Sequence, residues 1–172
     1  MKVNKFIKSK IKRNYFFIKG KLKINTEYFI NKIEEGIKED TNLNYKTNLI
    51  SPMTSYKYFM GDEQFYKIIF LLNDMIDKED LGDDNSYYLA DAWGYKSGFG
   101  DYTKIHHHSG HIMSGAIMLN KHPQTLYFPE IQEELKPEPG NFVLFSSFLK
   151  HVNKRNLSKK IRYGLSFNYM YK

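Results

Sequence analysis

The hydrophobic pattern changes period at the cluster Gly82-Asp83-Asp84-Asn85-Ser86, and this change constrains the fold more than any other feature of the chain. From there to the C-terminus the apolar and aromatic runs are short and are punctuated by Gly, Pro and Asn, as strands and turns are. Residues 87–93, 102–107, 112–119, 125–128, 142–149 and 161–171 are the expected strands, with no long helical pattern between them. Regularly spaced strands with turns imply a sandwich or barrel. At one turn the chemistry is explicit, because Pro139 fixes φ and Gly140 accepts φ > 0, as a type II turn demands. The aromatic share of 16%, with 14 Tyr and 13 Phe, also favours pleated surfaces on which flat rings pack.

Upstream of the change the period is helical. Thr26 can cap a helix in which Phe29 or Ile30, Ile33 and Ile37 recur, with Gly36 as its weak point. A clearer helix spans 61–77, capped by Asp62, and its stripe of Phe65, Ile68, Ile69, Leu72, Met75 and Ile76 is a core face rather than a cofactor box. Residues 42–60 carry Ser51-Pro52 and many polar side chains, and read as an irregular connection. A chain of 172 residues buries one real core and has no room for a second full domain. The expected organisation is therefore mainly β with N-terminal helices: a basic arm over 1–24, then one domain over 25–172 with a helical part (25–85) and a β core (86–172).

The net charge of +7 is concentrated in that arm, since residues 1–23 hold nine of the 26 Lys and Arg and no acid, leaving 17 basic against 19 acidic residues elsewhere. Such an arm can attract nucleic acid or an anionic membrane surface. Lys, Asn, Ile, Tyr and Phe are enriched together, however, as AT-rich coding produces, and that reading is preferred to nucleic-acid binding. The arm is expected to add little to the fold. Cys is absent, so neither disulfides nor thiolate metal sites are available, and any metal must be held by nitrogen or oxygen. No apolar run is long enough to span a bilayer, and the charged N-terminus lacks a secretory signal's apolar stretch, which together fit a cytoplasmic protein.

All six histidines lie within residues 106–151, and His106, His107 and His108 are consecutive. On an extended segment His106 and His108 share a face and His107 takes the other, so the outer two can grip one ion. His151 follows the apolar run 142–149 and can bring a third ligand from a returning strand. Arg162, Gly164, Ser166 and Asn168 then share one face of the last strand, and an arginine on such a polar face needs an anion.

Taken in order, these motifs resemble the 2-oxoglutarate/Fe(II) oxygenases common in bacteria and tailed phages, of the prolyl-hydroxylase-like superfamily. The likeness runs through Trp93, Gly100-Asp101-Tyr102, His106-His107-His108, Ser114-Gly115, Leu126-Tyr127-Phe128, Pro139-Gly140, Phe145 through His151 and Arg162 through Asn168. It covers 87–171, with a looser likeness over 47–65. The resemblance implies a double-stranded β-helix (jelly roll) in which His106 and His151 bind Fe(II), His108 fills the second slot of a His-x-Asp motif, and Arg162 pairs with the far carboxylate of 2-oxoglutarate, with Ser166 beside it. It implies oxidative decarboxylation of 2-oxoglutarate by O₂, coupled to hydroxylation of an unidentified substrate, in a host cytoplasm if the gene is a phage's.

Two departures from the family pattern stand out. The usual carboxylate of the facial triad is replaced by His108, so the site is either three-histidine or recruits Asp101. Gly164 replaces a serine whose hydroxyl serves the co-substrate, and Tyr102 or Tyr127 is the candidate substitute. Two rivals remain open: a cupin-like three-histidine dioxygenase without keto acid, and a non-catalytic jelly-roll binding module.

Overall fold

The computed structural model describes residues 15–39, 48–78 and 87–172, so the turn cluster at 82–86 and the first 14 residues of the basic arm lie outside the described residues. In chain order the elements are β1 (Phe17–Lys21), α1 (Thr26–Glu39), β2 (Leu49–Ile50), α2 (Glu63–Lys78), β3 (Tyr87–Ser97), β4 (Tyr102–Thr103), β5 (Met113–Met118), β6 (Leu126–Phe128), β7 (Glu133–Leu135), β8 (Asn141–Ser146) and β9 (Arg162–Tyr171). The helices begin where side chains can satisfy their free N–H groups: Asn25 Oδ1 accepts from Tyr28 N–H at 3.2 Å, and Asp62 Oδ1 from Phe65 N–H at 2.8 Å. The cap of α1 is thus Asn25, one residue before the expected Thr26. No described helix is long and apolar enough to cross a membrane.

Strands β1, β8, β5, β9 and β3 form, in that order, one antiparallel sheet. A second layer is assembled from the β2–β4 and β6–β7 ladders, joined through residues 151–153: His106 bridges His151, Tyr127 bridges Val152, and Thr103 N–H donates to the Asn153 carbonyl. This two-layered antiparallel arrangement is a double-stranded β-helix. The chain enters β8 through the turn Glu138-Pro139-Gly140-Asn141, closed by Asn141 N–H to Glu138 C=O at 3.0 Å, with Gly140 at φ 81°.

Alternation along the strands sorts side chains between two cores. Ile117, Phe142, Leu144, Leu165 and Phe167 face the helices and pack with Phe29, Ile33, Phe65 and Leu72, whereas Ala116, Val143 and Phe145 face the barrel interior and pack with Leu126, Phe128 and Leu149. The stripe on α2 is the expected core face.

Three differences from the sequence reading matter. First, β1, inside the basic arm, pairs with β8 from Phe17↔Phe145 to Lys21↔Asn141, and Phe17 lies edge-on to Phe128 at 4.9 Å. A domain boundary at 24/25 therefore falls inside the barrel, and the part of the arm from Phe17 belongs to the fold. Second, the strand expected over 102–107 stops at Thr103, because the chain then turns to the isolated bridge at His106. Third, the β3–β9 register slips between Leu89 and Asp91. Tyr87 and Leu89 pack toward the helices, and without the bulge Asp91 would follow them. The extra residue reverses the parity, so Asp91, Trp93 and Tyr95 line the interior.

Candidate active site

His106, His108 and His151 meet where the isolated His106–His151 bridge joins the second layer. Backbone bonds in both directions hold His106 beside His151, at 3.2 and 2.9 Å, and His108 N–H donates to the Ser147 carbonyl at 2.8 Å. The three side chains bring ligand nitrogens within 4.8 Å of one another. His107 stands outside this group, exposed, with Nδ1 at 3.3 Å from Ser109 Oγ.

The hydrogen bonds fix which nitrogens face inward. Nδ1 of His106 lies 2.7 Å from the Lys104 carbonyl, that of His151 3.1 Å from the Leu149 carbonyl, and that of His108 2.6 Å from Asn168 Oδ1. A carbonyl oxygen only accepts, so each Nδ1 carries the proton and each Nε2 keeps its lone pair. Burial pushes the histidine pKa values down, that of His108 to about 4, which leaves neutral imidazoles, the form that binds metal. Three converging lone pairs repel unless something electron-poor lies between them. This donor set fits a divalent transition metal.

Behind His108 runs a polar relay. Asn168 Oδ1 also accepts from Ser114 Oγ at 2.7 Å, Asn168 Nδ2 donates to Asp91 Oδ1 at 2.7 Å, and Asp91 Oδ2 lies 3.1 Å from His111 Nε2. Desolvation raises the Asp91 carboxyl pKa against the pull of these partners. Asp101 is not in the histidine group: its Oδ2 accepts Gly98 N–H at 2.8 Å in a turn.

Arg162 lies at the other end of the polar face of β9 and has no solvent exposure. Its Nη1 donates to the Gln124 carbonyl at 3.0 Å and to Asn153 Oδ1 at 2.7 Å, while Nε and Nη2 are buried without a partner. The guanidinium sits 5.3 Å from the centre of the Tyr95 ring. A Cβ added at Gly164 would lie 2.4 Å from Tyr95 Oη, so the missing side chain at 164 makes room for this phenol. Tyr95, from the neighbouring strand, thus brings a hydroxyl next to position 164, where it donates to Met118 Sδ at 4.0 Å. Tyr102 stacks under Arg155 at 4.8 Å, and neither Tyr102 nor Tyr127 lines the cavity.

The cavity has a volume of about 470 Å³ and runs from Tyr95, Asn153 and Ser166 past the three histidines to Asp91, His111 and Tyr56. Arg162 stands directly behind its Tyr95 and Asn153 wall. Sequence reasoning missed Asp91, His111 and Tyr95 as parts of the site; for Tyr95 the signal was available in the alternation Trp93-x-Tyr95, while Asp91 was concealed by the bulge.

No protein-family model and no curated protein matches the sequence. Among solved structures, the chain is similar to the viral collagen prolyl hydroxylase vCPH of Paramecium Bursaria Chlorella virus-1 in a 2OG complex, at TM-score 0.70 and 15% identity over 91% of this chain and 96% of that one. It is similar to a Pseudomonas putida prolyl-4-hydroxylase at TM-score 0.66 and 13% identity, covering 91% and 92% of the two chains. EctD from S. alaskensis with bound Fe matches at TM-score 0.63 and 12% identity, covering 90% and 72%. At these identities the likeness establishes the shared double-stranded β-helix fold.

Proposed function

We propose that this protein is an Fe(II)- and 2-oxoglutarate-dependent oxygenase that converts R–H, 2-oxoglutarate and O₂ into R–OH, succinate and CO₂. The observation that carries this reading is Arg162. A wholly buried guanidinium with two unpartnered nitrogens is costly unless an anion completes it, and it lies against Tyr95 and Asn153, which line the cavity that holds the three converging histidines. A dicarboxylate keto acid suits both features, with one carboxylate for the guanidinium and a chelating keto-carboxylate end for the metal.

His106, His108 and His151 would hold the iron through Nε2, which supplies the C–H-oxidising chemistry once 2-oxoglutarate and O₂ are bound. The chain's own residues do the rest. Arg162 takes the distal carboxylate and Tyr95 Oη donates to it. Asn168 and Ser114 set the ring of His108. Leu126, Phe145 and Ala116 keep the keto-acid end of the cavity dry, which strengthens each polar contact there.

Anaerobic titration with Fe(II) and then 2-oxoglutarate tests the reading through the metal-to-ligand charge-transfer band. The band should appear in the wild type and fail to appear in Arg162→Ala, while Fe(II) affinity is retained. His108 favours a second reading, a three-histidine dioxygenase that needs no keto acid. Equal 2-oxoglutarate affinity in wild type and Arg162→Ala, or none in either, would move the assignment there.

A further inference from the structure

Between His151 and Asn153, which line the cavity, and the buried Arg162, the connection from β8 to β9 comes to the surface as Lys154-Arg155-Asn156-Leu157-Ser158-Lys159-Lys160, with four cations and no acid. The four cations are exposed and form no ion pair with a described acid. Leu157, in their midst, is 76% exposed. That exposure is built into the turn. Ser158 N–H donates to Asn156 Oδ1 at 2.8 Å and Lys160 N–H to Ser158 Oγ at 3.1 Å, so consecutive side-chain turns fix the tip, while Asn156 is buried and donates through Nδ2 to the Ser97 carbonyl at 3.0 Å. Beside it runs the loop Gly98-Phe99-Gly100-Asp101. The two are joined by Gly100 N–H to Asn156 C=O and Asn156 N–H to Asp101 C=O, each at 2.8 Å, and by Arg155 Nη1 to Gly100 C=O at 2.9 Å. Phe99 is 71% exposed, whereas the acid of this loop, Asp101, is half-buried and accepts Gly98 N–H through Oδ2. A lone exposed apolar side chain needs no explanation, but two large ones on adjoining fixed turns among unpaired cations do. By contrast, Tyr66, Phe70 and Leu71, exposed on α2, lie among both signs of charge, with Glu63, Asp74 and Asp77 beside Lys67 and Lys78.

We propose that this pair of loops docks the protein on an anionic lipid bilayer, with Phe99 and Leu157 entering the headgroup layer and Lys154, Arg155, Lys159 and Lys160 meeting lipid phosphates. The contact is peripheral and independent of the oxygenase reading. Binding at a membrane surface combines apolar area buried at the acyl boundary with attraction of Lys and Arg to anionic headgroups, and both are present on these two turns. A nucleic acid would satisfy the cations but not the apolar tips: Leu157 has no ring face on which a base can stack, and the nearby ring of Tyr102 is covered by the Arg155 guanidinium at 4.8 Å. The surface is also tied to the interior. Gln124 Nε2 donates to the carbonyls of Asp101 and Lys154, one from each loop, and the Gln124 carbonyl accepts from Arg162 Nη1, so the docked loops belong to the frame that holds Arg162.

Sedimentation of the full chain with vesicles of phosphatidylcholine, and with vesicles of equimolar phosphatidylcholine and phosphatidylglycerol, measures the contact. The protein should partition onto the anionic vesicles alone, and added salt should weaken it. The N-terminal arm is also basic, so the loops are isolated by difference. Phe99→Ser combined with Leu157→Ser leaves every charge in place and should lower the partition coefficient about tenfold or more. Lys159→Gln combined with Lys160→Gln should also lower it about tenfold or more. All four positions are exposed and outside the cavity, so both variants should unfold at the wild-type midpoint. Because the chain has no cysteine, Leu157→Cys carries a single environment-sensitive label, whose emission should shift to the blue on anionic vesicles as its surroundings lose water. Partition that the serine pair leaves unchanged overturns the proposal, because the arm or the charges alone would then account for it, as does a label that keeps its aqueous emission on vesicle-bound protein. Absence of partition onto anionic vesicles overturns it too, and retention on single-stranded DNA that is lost in the glutamine pair would then assign the surface to nucleic acid.

Discussion

Replacing Arg162 by methionine separates what the residue does for the fold from what it does for a ligand. Methionine keeps an unbranched apolar chain of similar reach and discards the charge. In the ligand-free protein two opposed effects follow. Removal of the guanidinium strands the Gln124 carbonyl and Asn153 Oδ1, at about 1–3 kcal/mol each. It also abolishes a fully buried charge whose Nε and Nη2 have no partner, a burden of several kcal/mol, and burial already pulls the guanidinium pKa below its ordinary value. The charge effect is the larger, so Arg162→Met should be as stable as wild type without ligand, or more stable by up to about 3 kcal/mol. With Mn(II) already bound, 2-oxoglutarate at about a hundredfold over its Kd should add about 2.7 kcal/mol to wild type. For a chain of this size that is about 5–10 °C in Tm. The variant should gain only what Mn(II) alone provides. Urea and thermal unfolding, with each ligand added separately, measure both quantities. A variant that loses several kcal/mol before any ligand is added, or that keeps the 2-oxoglutarate increment, would refute the reasoning.

Other perturbations isolate single contacts. In the metal-free protein the histidine cluster ionises below its ordinary range, so the unfolded chain takes up protons first as the pH falls. Stability should be full above about pH 6.5 and decline toward about pH 4, His108 alone removing about 3 kcal/mol, and a urea midpoint that is flat across this window would contradict it. Asn168→Ala should weaken metal affinity by about 10- to 100-fold by freeing the ring of His108, read by calorimetry, while His107→Ala should leave it unchanged. Gly164→Ser puts a Cβ where Tyr95 Oη stands, and should raise the 2-oxoglutarate Kd while sparing metal binding. Deleting residues 1–14 should preserve the unfolding transition, whereas deletion through Lys21 removes β1 from β8 and should abolish cooperative unfolding.

Much of the interior was legible because a strand has period two and the last strand has no irregularity: Arg162, Gly164, Ser166 and Asn168 share the polar face and Leu165 and Phe167 the apolar one, in the sequence as in the fold. The convergence of His106, His108 and His151 was legible for the same reason, although the segment that carries the first two is not a strand but a bridge. What escaped is long-range or irregular. β1 carries Lys19 and Lys21 on an exposed edge, so its composition reads as a solvated arm, and only its pairing with β8 makes it part of the sheet. The role of Tyr95 depends on a glycine on the neighbouring strand, a relation that no local pattern contains.

Asp91 is the most instructive case, because local pattern reading gives it the wrong face. Continued alternation from Tyr87 and Leu89 would put a carboxylate against Phe167 and Tyr169 in the apolar core, at a desolvation cost that the fold could not sustain unpaired. One inserted residue removes that conflict and places the carboxylate beside Asn168 instead. The same step bears on His108. A histidine in the second slot leaves the metal site without a negatively charged ligand, and the nearest acid is Asp91, one amide away through Asn168. The hydrogen-bond chain from Asp91 through Asn168 to His108 Nδ1 makes Nε2 a stronger donor without giving Asp91 to the metal. Asp91 thus keeps free lone pairs facing the cavity.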